Sequence, residues 1–321
     1  MNITPASIKM WSTVGPRATF GLAALEMAKG PEDLFVITAD TSTSAGLDRF
    51  RKTLPEKFLD VGISEQNMMG IAAGMASEGV SVFTATFSPF QTLRCCEQIK
   101  VNLGYMGHKV VMVGLASGVV LGTLGFTHCS MEDLAVMRSL AGVSIISPAD
   151  CTEVVKAAFA ALHYSQSVYI RLTGGAKMPP VHDADYGFEI GRAIPMREVS
   201  DVAIIACGSM VYESLQAAEL LNQKGISASV TNMHTVKPLD TRAVEKACDS
   251  KLIVTVEEHS VLGGLGSAVA EHKATLEKTP PQLFVGLPNA YGKTGPYRHM
   301  LEVHGLTAPH IAQKILDRLR K

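Results

Sequence analysis

No Cys-x-x-Cys pair occurs in this chain, and its six cysteines, Cys95, Cys96, Cys129, Cys151, Cys207 and Cys248, follow no regular interval. That spacing argues against a disulfide framework and against a zinc site, and fits free thiols in a reducing compartment. There is also no run of like charge: 29 Lys and Arg against 30 Asp and Glu leave a formal charge of -1. Such a balance gives no footing for nucleic acid or an anionic membrane, and favours small molecules or other proteins as partners. The N-terminus lacks the basic-then-apolar layout of a secretory leader, so a cytoplasmic location is expected. The uncharged run 110–126 approaches membrane-spanning length, but Gly114, Gly118, Gly122 and Gly125 interrupt it. It reads as a buried parallel strand followed by a glycine-rich loop, and no membrane segment is expected.

What is present is apolar material in plenty: 47% of 321 residues are hydrophobic and 18% charged, enough for two cored domains. Strands over 34–39, 58–61, 81–86, 110–114, 144–147 and 168–172 alternate with helices, among them 16–29, 89–103, 131–140 and 151–162. Strands separated by helices of this length imply parallel βαβ units. The stretch 173–180, with Gly174, Gly175, Pro179 and Pro180, breaks the alternation. A second series follows, with strands over 202–207, 227–232, 252–257 and 283–286 and helices between them. The expectation is therefore α/β, two doubly wound domains with mostly parallel sheets, over residues 1–178 and 179–321.

In open parallel sheets, ligands bind beyond the carboxyl ends of the strands. The loops there carry Asp40 with Ser44, Glu65, Phe87 with Phe90, His128, and Arg171. Glu65, in Asp60-Val-Gly-Ile-Ser-Glu-Gln-Asn67, sits where a short strand meets a helix of small residues, and the next strand leads into Phe87 and Phe90. A carboxylate beside two aromatic rings can hold a flat heterocycle, but on this pattern alone a first-turn acid favoured by the helix dipole is the stronger explanation of Glu65. Each neighbour has its plain alternative too. Asp40 and the Ser/Thr run to Ser44 suit a turn or cap, His128 a core histidine, and Arg171 a structural ion pair. The segment 257–267 resembles a nucleotide-binding glycine loop without completing G-x-G-x-x-G, and reads better as a tight strand-to-helix connection.

Taken in order, Ile63-Ser-Glu-Gln-Asn67, Thr86-Phe-Ser-Pro-Phe90, Phe126-Thr-His-Cys-Ser-Met-Glu-Asp-Leu-Ala135, Ser147-Pro-Ala-Asp150, Val236-Lys-Pro-Leu-Asp240 and the Glu257 segment resemble the C-terminal two domains of thiamine-diphosphate enzymes of the transketolase family. The resemblance implies a pyrimidine-binding domain followed by a transketolase C-terminal-like domain. It implies that Glu65 hydrogen-bonds the cofactor's aminopyrimidine and favours its imino tautomer, with Phe87 and Phe90 flanking the ring and Asp40 near the thiazolium end. His128 matches a histidine acting on the substrate hydroxyl or oxyanion. Arg17, Ser44 and Arg171 fall where the family contacts a sugar phosphate, a task suited to guanidinium groups.

Two positions depart from the family pattern. Ala116 stands where a further active-site histidine is usual, and Leu124 where an aspartate reads a sugar hydroxyl. A modified or less hydroxylated substrate is then the expectation. The family's Gly-Asp-Gly motif for diphosphate and metal does not occur, and too few residues precede Arg17 to hold the domain that bears it. The implied enzyme is split: this chain offers the pyrimidine half, and a partner chain supplies the diphosphate site and Mg2+ or a similar ion, in an α2β2 assembly with this chain dimerised. The expected reaction is two-carbon ketol transfer from an anionic ketose to an aldehyde. The β subunit of a 2-oxoacid dehydrogenase, a deoxyxylulose-phosphate-synthase-like enzyme, and a non-catalytic scaffold subunit are the alternatives.

Overall fold

The computed structural model describes residues 1–31, 33–198 and 201–320. The first six strands are β1 (Leu34–Thr38), β2 (Phe58–Asp60), β3 (Ser81–Phe87), β4 (Val110–Leu115), β5 (Val143–Ile146) and β6 (Ser167–Arg171). Six more follow: β7 (Ile194–Arg197), β8 (Val202–Ala206), β9 (Ala228–Asn232), β10 (Thr235–Lys237), β11 (Leu252–Ser260) and β12 (Gln282–Leu287). Every residue of β4, β5, β6, β8 and β11 is buried. Their near-continuous apolar character is what strands covered on both faces require.

The strands form a seven-stranded sheet in the order β10-β5-β6-β4-β3-β1-β2 and a five-stranded sheet in the order β12-β11-β8-β9-β7. All neighbours run parallel except β10 against β5 and β7 against β9. The expected α/β class with two mostly parallel sheets is therefore found. One element departs from it: β10, which follows strands of the second sheet, returns to the edge of the first, pairing Thr235 with Ile146. The Ser147 amide also donates to the His234 carbonyl at 2.7 Å, which extends the junction. Ile37, Met112 and Tyr169 of the first sheet share one buried apolar cluster with Ala203, Ile205 and Ile253 of the second. The two sheets thus lean on a common core.

Capping chemistry sets the helix starts. Asp150 accepts from the Glu153 amide at 2.8 Å ahead of Cys151–His163, and Asp240 from the Ala243 amide at 3.1 Å ahead of Thr241–Ala247. The helix Pro5–Val14, not foreseen from the sequence, opens on a capping box between Thr4 and Ser7 with proline at its start. The expected continuous helix over 89–103 is instead broken into Ser88–Gln91, Cys96–Gln98 and the π-helical Ile99–Tyr105. Buried polar side chains explain the break. Thr92 Oγ1 turns back to the Ser88 carbonyl at 2.7 Å and Gln91 Oε1 accepts from Thr84 Oγ1 at 3.1 Å. Such back-bonding bends helices. Among the described residues no helix is long and apolar enough to cross a membrane.

Candidate active site

Asp60 organises the approach to Glu65. Its carboxylate accepts from the Asp40 amide at 2.8 Å, the Gly62 amide at 3.0 Å and Thr38 Oγ1 at 3.1 Å, so it ties the end of β1 to the end of β2. Asp40 itself is exposed and adopts a left-handed conformation with φ 57°. Glu65 then opens the helix Glu65–Ser77, where the unpaired amides favour an acid. It is nonetheless 3% exposed. Its carboxylate does not cap the helix; Oε2 lies 2.7 Å from Arg94 Nη1.

Arg94 joins Glu65 to the aromatic group. Its guanidinium carbon lies 3.9 Å from the centroid of the Phe90 ring. Phe87 and Phe90 meet edge-on at 6.2 Å, and the His128 ring stands 5.9 Å from Phe87 and 5.4 Å from Phe90. The Thr127 hydroxyl is 3.0 Å from His128 Nδ1, which leaves Nε2 for other work. Glu65, Phe87, Phe90 and His128 thus form one connected group, drawn from the ends of β2, β3 and the loop after β4. Arg94 is the member that sequence reasoning missed. A lone cation shortly after an aromatic pair was its one signal.

Arg17 and Ser44 belong to two segments that pack against each other. A Cβ built on Gly46 would sit 2.8 Å from the Arg17 carbonyl, so the 41–47 turn is pressed against the start of the helix Pro16–Ala28. Ser44 and Arg17 are both half-buried. Burial pulls the Arg17 guanidinium below its usual pKa, and none of the ion pairs among the described residues includes it. A partly desolvated cation of this kind suits an anionic ligand.

Arg171 lies apart from these surface loops, in an ion pair. It is fully buried; its Nε lies 2.7 Å and its Nη2 3.1 Å from Asp133, and Nη2 also reaches the Ser130 and Glu258 carbonyls. No part of its side chain is exposed to meet a substrate, and the plain structural ion pair is what the structure contains. Burial alone would raise Asp133, but the Arg171 charge, then that of His259, holds it below the usual carboxylate range. Burial lowers His259 to about 4 and raises Glu257 to about 7. Glu257 accepts from the Leu265 and Gly266 amides at 2.7 and 2.8 Å, so the 257–267 glycine segment is a strand-to-helix connection. Glu258 accepts from Val119, Ser209 and Tyr297. Together these groups form a polar seam between the two sheets, and Ser88, next to Phe87, reaches it through Tyr169 and Asp133.

The departures from the family pattern have their own settings. Ala116 is 1% exposed at φ 52°, and Leu124 is 55% exposed. Among the described residues no group of three or more His, Cys, Asp or Glu is arranged to hold a metal.

The sequence matches the family model of the transketolase pyrimidine-binding domain over residues 13–176 and that of the transketolase C-terminal domain over 191–311. The chain belongs to the transketolase family. It is 37% identical over 308 residues to an apulose-4-phosphate transketolase subunit of Phocaeicola vulgatus, covering 95% of this chain and 97% of that one. It is 38% identical over 301 residues to a 6-deoxy-6-sulfo-D-fructose transketolase subunit of a Clostridium species, covering 92% of each. A split-gene transketolase solved as an inactive β4 tetramer superposes with a TM-score of 0.85 at 34% identity, over 95% of this chain and 97% of that one. Transketolase of Campylobacter jejuni shares the fold, with a TM-score of 0.78 at 22% identity over 46% of its length. The transketolase-family assignment places Glu65, Phe87, Phe90 and His128 all within the pyrimidine-binding domain.

Proposed function

We propose that this transketolase-family chain is one subunit of a split, thiamine-diphosphate-dependent transferase that moves a two-carbon ketol unit from an anionic ketose to an aldehyde. The observation that carries the reading is the buried Glu65 carboxylate, joined through Arg94 to the Phe87, Phe90 and His128 ring group. A carboxylate with aromatic faces fits the aminopyrimidine half of the cofactor. The whole-length match to proteins named as transketolase subunits supports the split arrangement. In this proposal the partner subunit supplies the diphosphate site and a divalent ion such as Mg2+, within an α2β2 assembly. The six free cysteines suit a cytoplasmic setting.

When bound, thiamine diphosphate supplies the carbanion chemistry that breaks and makes carbon–carbon bonds beside a carbonyl. The side chains bind, orient and shuttle protons around it. Glu65 would hydrogen-bond the aminopyrimidine ring, with Phe87 and Phe90 beside it as apolar flanks. Asp40, just beyond β1, would stand near the thiazolium end of the cofactor. His128, with Nδ1 engaged by Thr127, uses Nε2 to move a proton at the substrate oxygen. Arg17 and Ser44 take the donor's anionic end. The two relatives named for a sugar phosphate and a sulfo-sugar favour such a donor. Ala116 and Leu124 offer no polar contact, which favours a less hydroxylated or modified sugar.

The test is the complex of this chain with its partner, assayed against a panel of ketose phosphates and sulfo-sugars. The Glu65→Gln complex should lose most transfer, by on the order of 10²- to 10⁴-fold. Near-wild-type turnover of Glu65→Gln would sink the mechanism. A second reading has its own support: 1-deoxy-D-xylulose-5-phosphate synthase of a Synechococcus strain is 36% identical over 301 residues, 46% of its length. Carbon dioxide release from pyruvate by the same complex would favour that reading.

A further inference from the structure

The geometry points to Arg94 as a displaceable occupant of the heterocycle's seat, one that must turn outward before Glu65 can receive a ligand. The inference rests on the proposed cofactor site and deepens it. A guanidinium is flat, cationic and rich in N–H donors. Here it lies 3.9 Å over the Phe90 ring and sets Nη1 2.7 Å from Glu65 Oε2. A face against Phe90 and a hydrogen bond at the Glu65 carboxyl are the two contacts that the proposed function asks of an aminopyrimidine. One face of Phe90 and one carboxylate oxygen cannot serve both groups at once.

The surroundings make the exchange a side-chain movement alone. Gln66 Nε2 donates to the Arg94 carbonyl at 3.0 Å, and the Cys95 thiol points to the Phe90 carbonyl at 3.2 Å, so the backbone turn 90–95 is tied down. Glu65 is 3% exposed whereas Arg94 is 40% exposed. The carboxylate therefore forms the floor of the seat, and the guanidinium has solvent to swing into. It stays there because a cation over an aromatic face and beside a shielded carboxylate gains from both contacts. Any planar ligand that needs Glu65 must displace it. Its observed affinity is the intrinsic affinity reduced by the fraction of molecules in which the seat is open.

The opposite role, in which Arg94 braces Glu65 for the ligand, predicts the opposite change on removal. The experiment compares wild type, Arg94→Ala and Arg94→Lys by calorimetric titration. Thiamine diphosphate with Mg2+ is titrated into each complex with the partner subunit. The free pyrimidine half, 4-amino-5-hydroxymethyl-2-methylpyrimidine, is titrated into this chain alone. Removing the occupant should tighten both, by on the order of tenfold for Arg94→Ala, with Arg94→Lys between because it keeps charge but loses the plane. Equal or weaker binding by Arg94→Ala, with an unchanged melting temperature, overturns the inference; should that variant fold poorly, equal or weaker binding by Arg94→Lys overturns it. The failure of the functional reading looks different: no complex, wild type included, would bind thiamine diphosphate.

Discussion

At the scale of single residues, the site divides its labour between a carboxylate, two rings, a histidine and a cation set apart from them. His128 and Arg17 should fail in different ways when removed. On the proposed mechanism His128→Ala takes away a proton-moving group, so kcat should fall by roughly 10²- to 10⁴-fold with little change in KM. If Arg17 holds the donor's anionic end as proposed, Arg17→Ala removes a charge-assisted contact of about 1.5–3 kcal/mol, so KM for an anionic donor should rise on the order of ten- to a hundredfold. A neutral sugar of the same length is the control. It should be used equally by wild type and Arg17→Ala, and a matching loss on the neutral donor would show that Arg17 supports the fold instead.

At the scale of elements, the connection from β11 into the helix Leu265–Lys273 shows how tightly the seam is built. A Cβ on Gly264 would lie 2.0 Å from Glu257 Oε2 and 2.7 Å from His259 Nδ1. The carboxylate cannot retreat without dropping the Leu265 and Gly266 amides. Gly264→Ala should therefore destabilise the chain by about 2–4 kcal/mol, read as a fall in the urea midpoint with an unchanged m-value. Within this frame, what a sequence displays depends on where the partners lie. Glu65, Phe87, Phe90 and His128 stand at the ends of successive parallel strands, so the rule for ligand sites in such sheets gathers them without coordinates. Arg171 also ends a strand, but its fate is decided by Asp133 and by the Glu258 carbonyl from the other sheet. No spacing announces those partners. β10 is similar: a three-residue strand acquires its identity only by meeting β5 across the junction. The broken 89–103 stretch has an apolar pattern that fits one helix, and the inward-turned Gln91 and Thr92 side chains override it.

At the scale of the whole molecule, buried acids clamp the two sheets and the segment between them, which makes stability depend on pH. Glu153 accepts from the Ala149 amide, from Asn232 at the end of β9 and from the Tyr186 hydroxyl in the connecting segment. Burial, then the nearby Asp150 charge, raises it to about 8 from an ordinary 4.5. Glu257, raised chiefly by burial to about 7, behaves alike. Between 4.5 and these values the folded chain keeps protons that the unfolded chain has lost, so stability falls as pH rises. His234 and His259, lowered by burial to about 4 from 6.5, act in the other direction, because below 6.5 the unfolded chain takes up the extra protons. The opposing slopes offset one another up to about pH 6.5, and only the falling ones continue beyond it. Each such group contributes up to about 1.4 kcal/mol per pH unit. The melting temperature should therefore decline from pH 6.5 to 8. Glu153→Gln carries no charge to release, so its decline should be confined to the Glu257 range and much shallower between pH 7 and 8. A wild-type melting temperature that rises across this interval would mean that Glu153 is ionised in the folded chain. The clamp on Asn232 and Tyr186 would then be a carboxylate accepting both bonds at neutral pH.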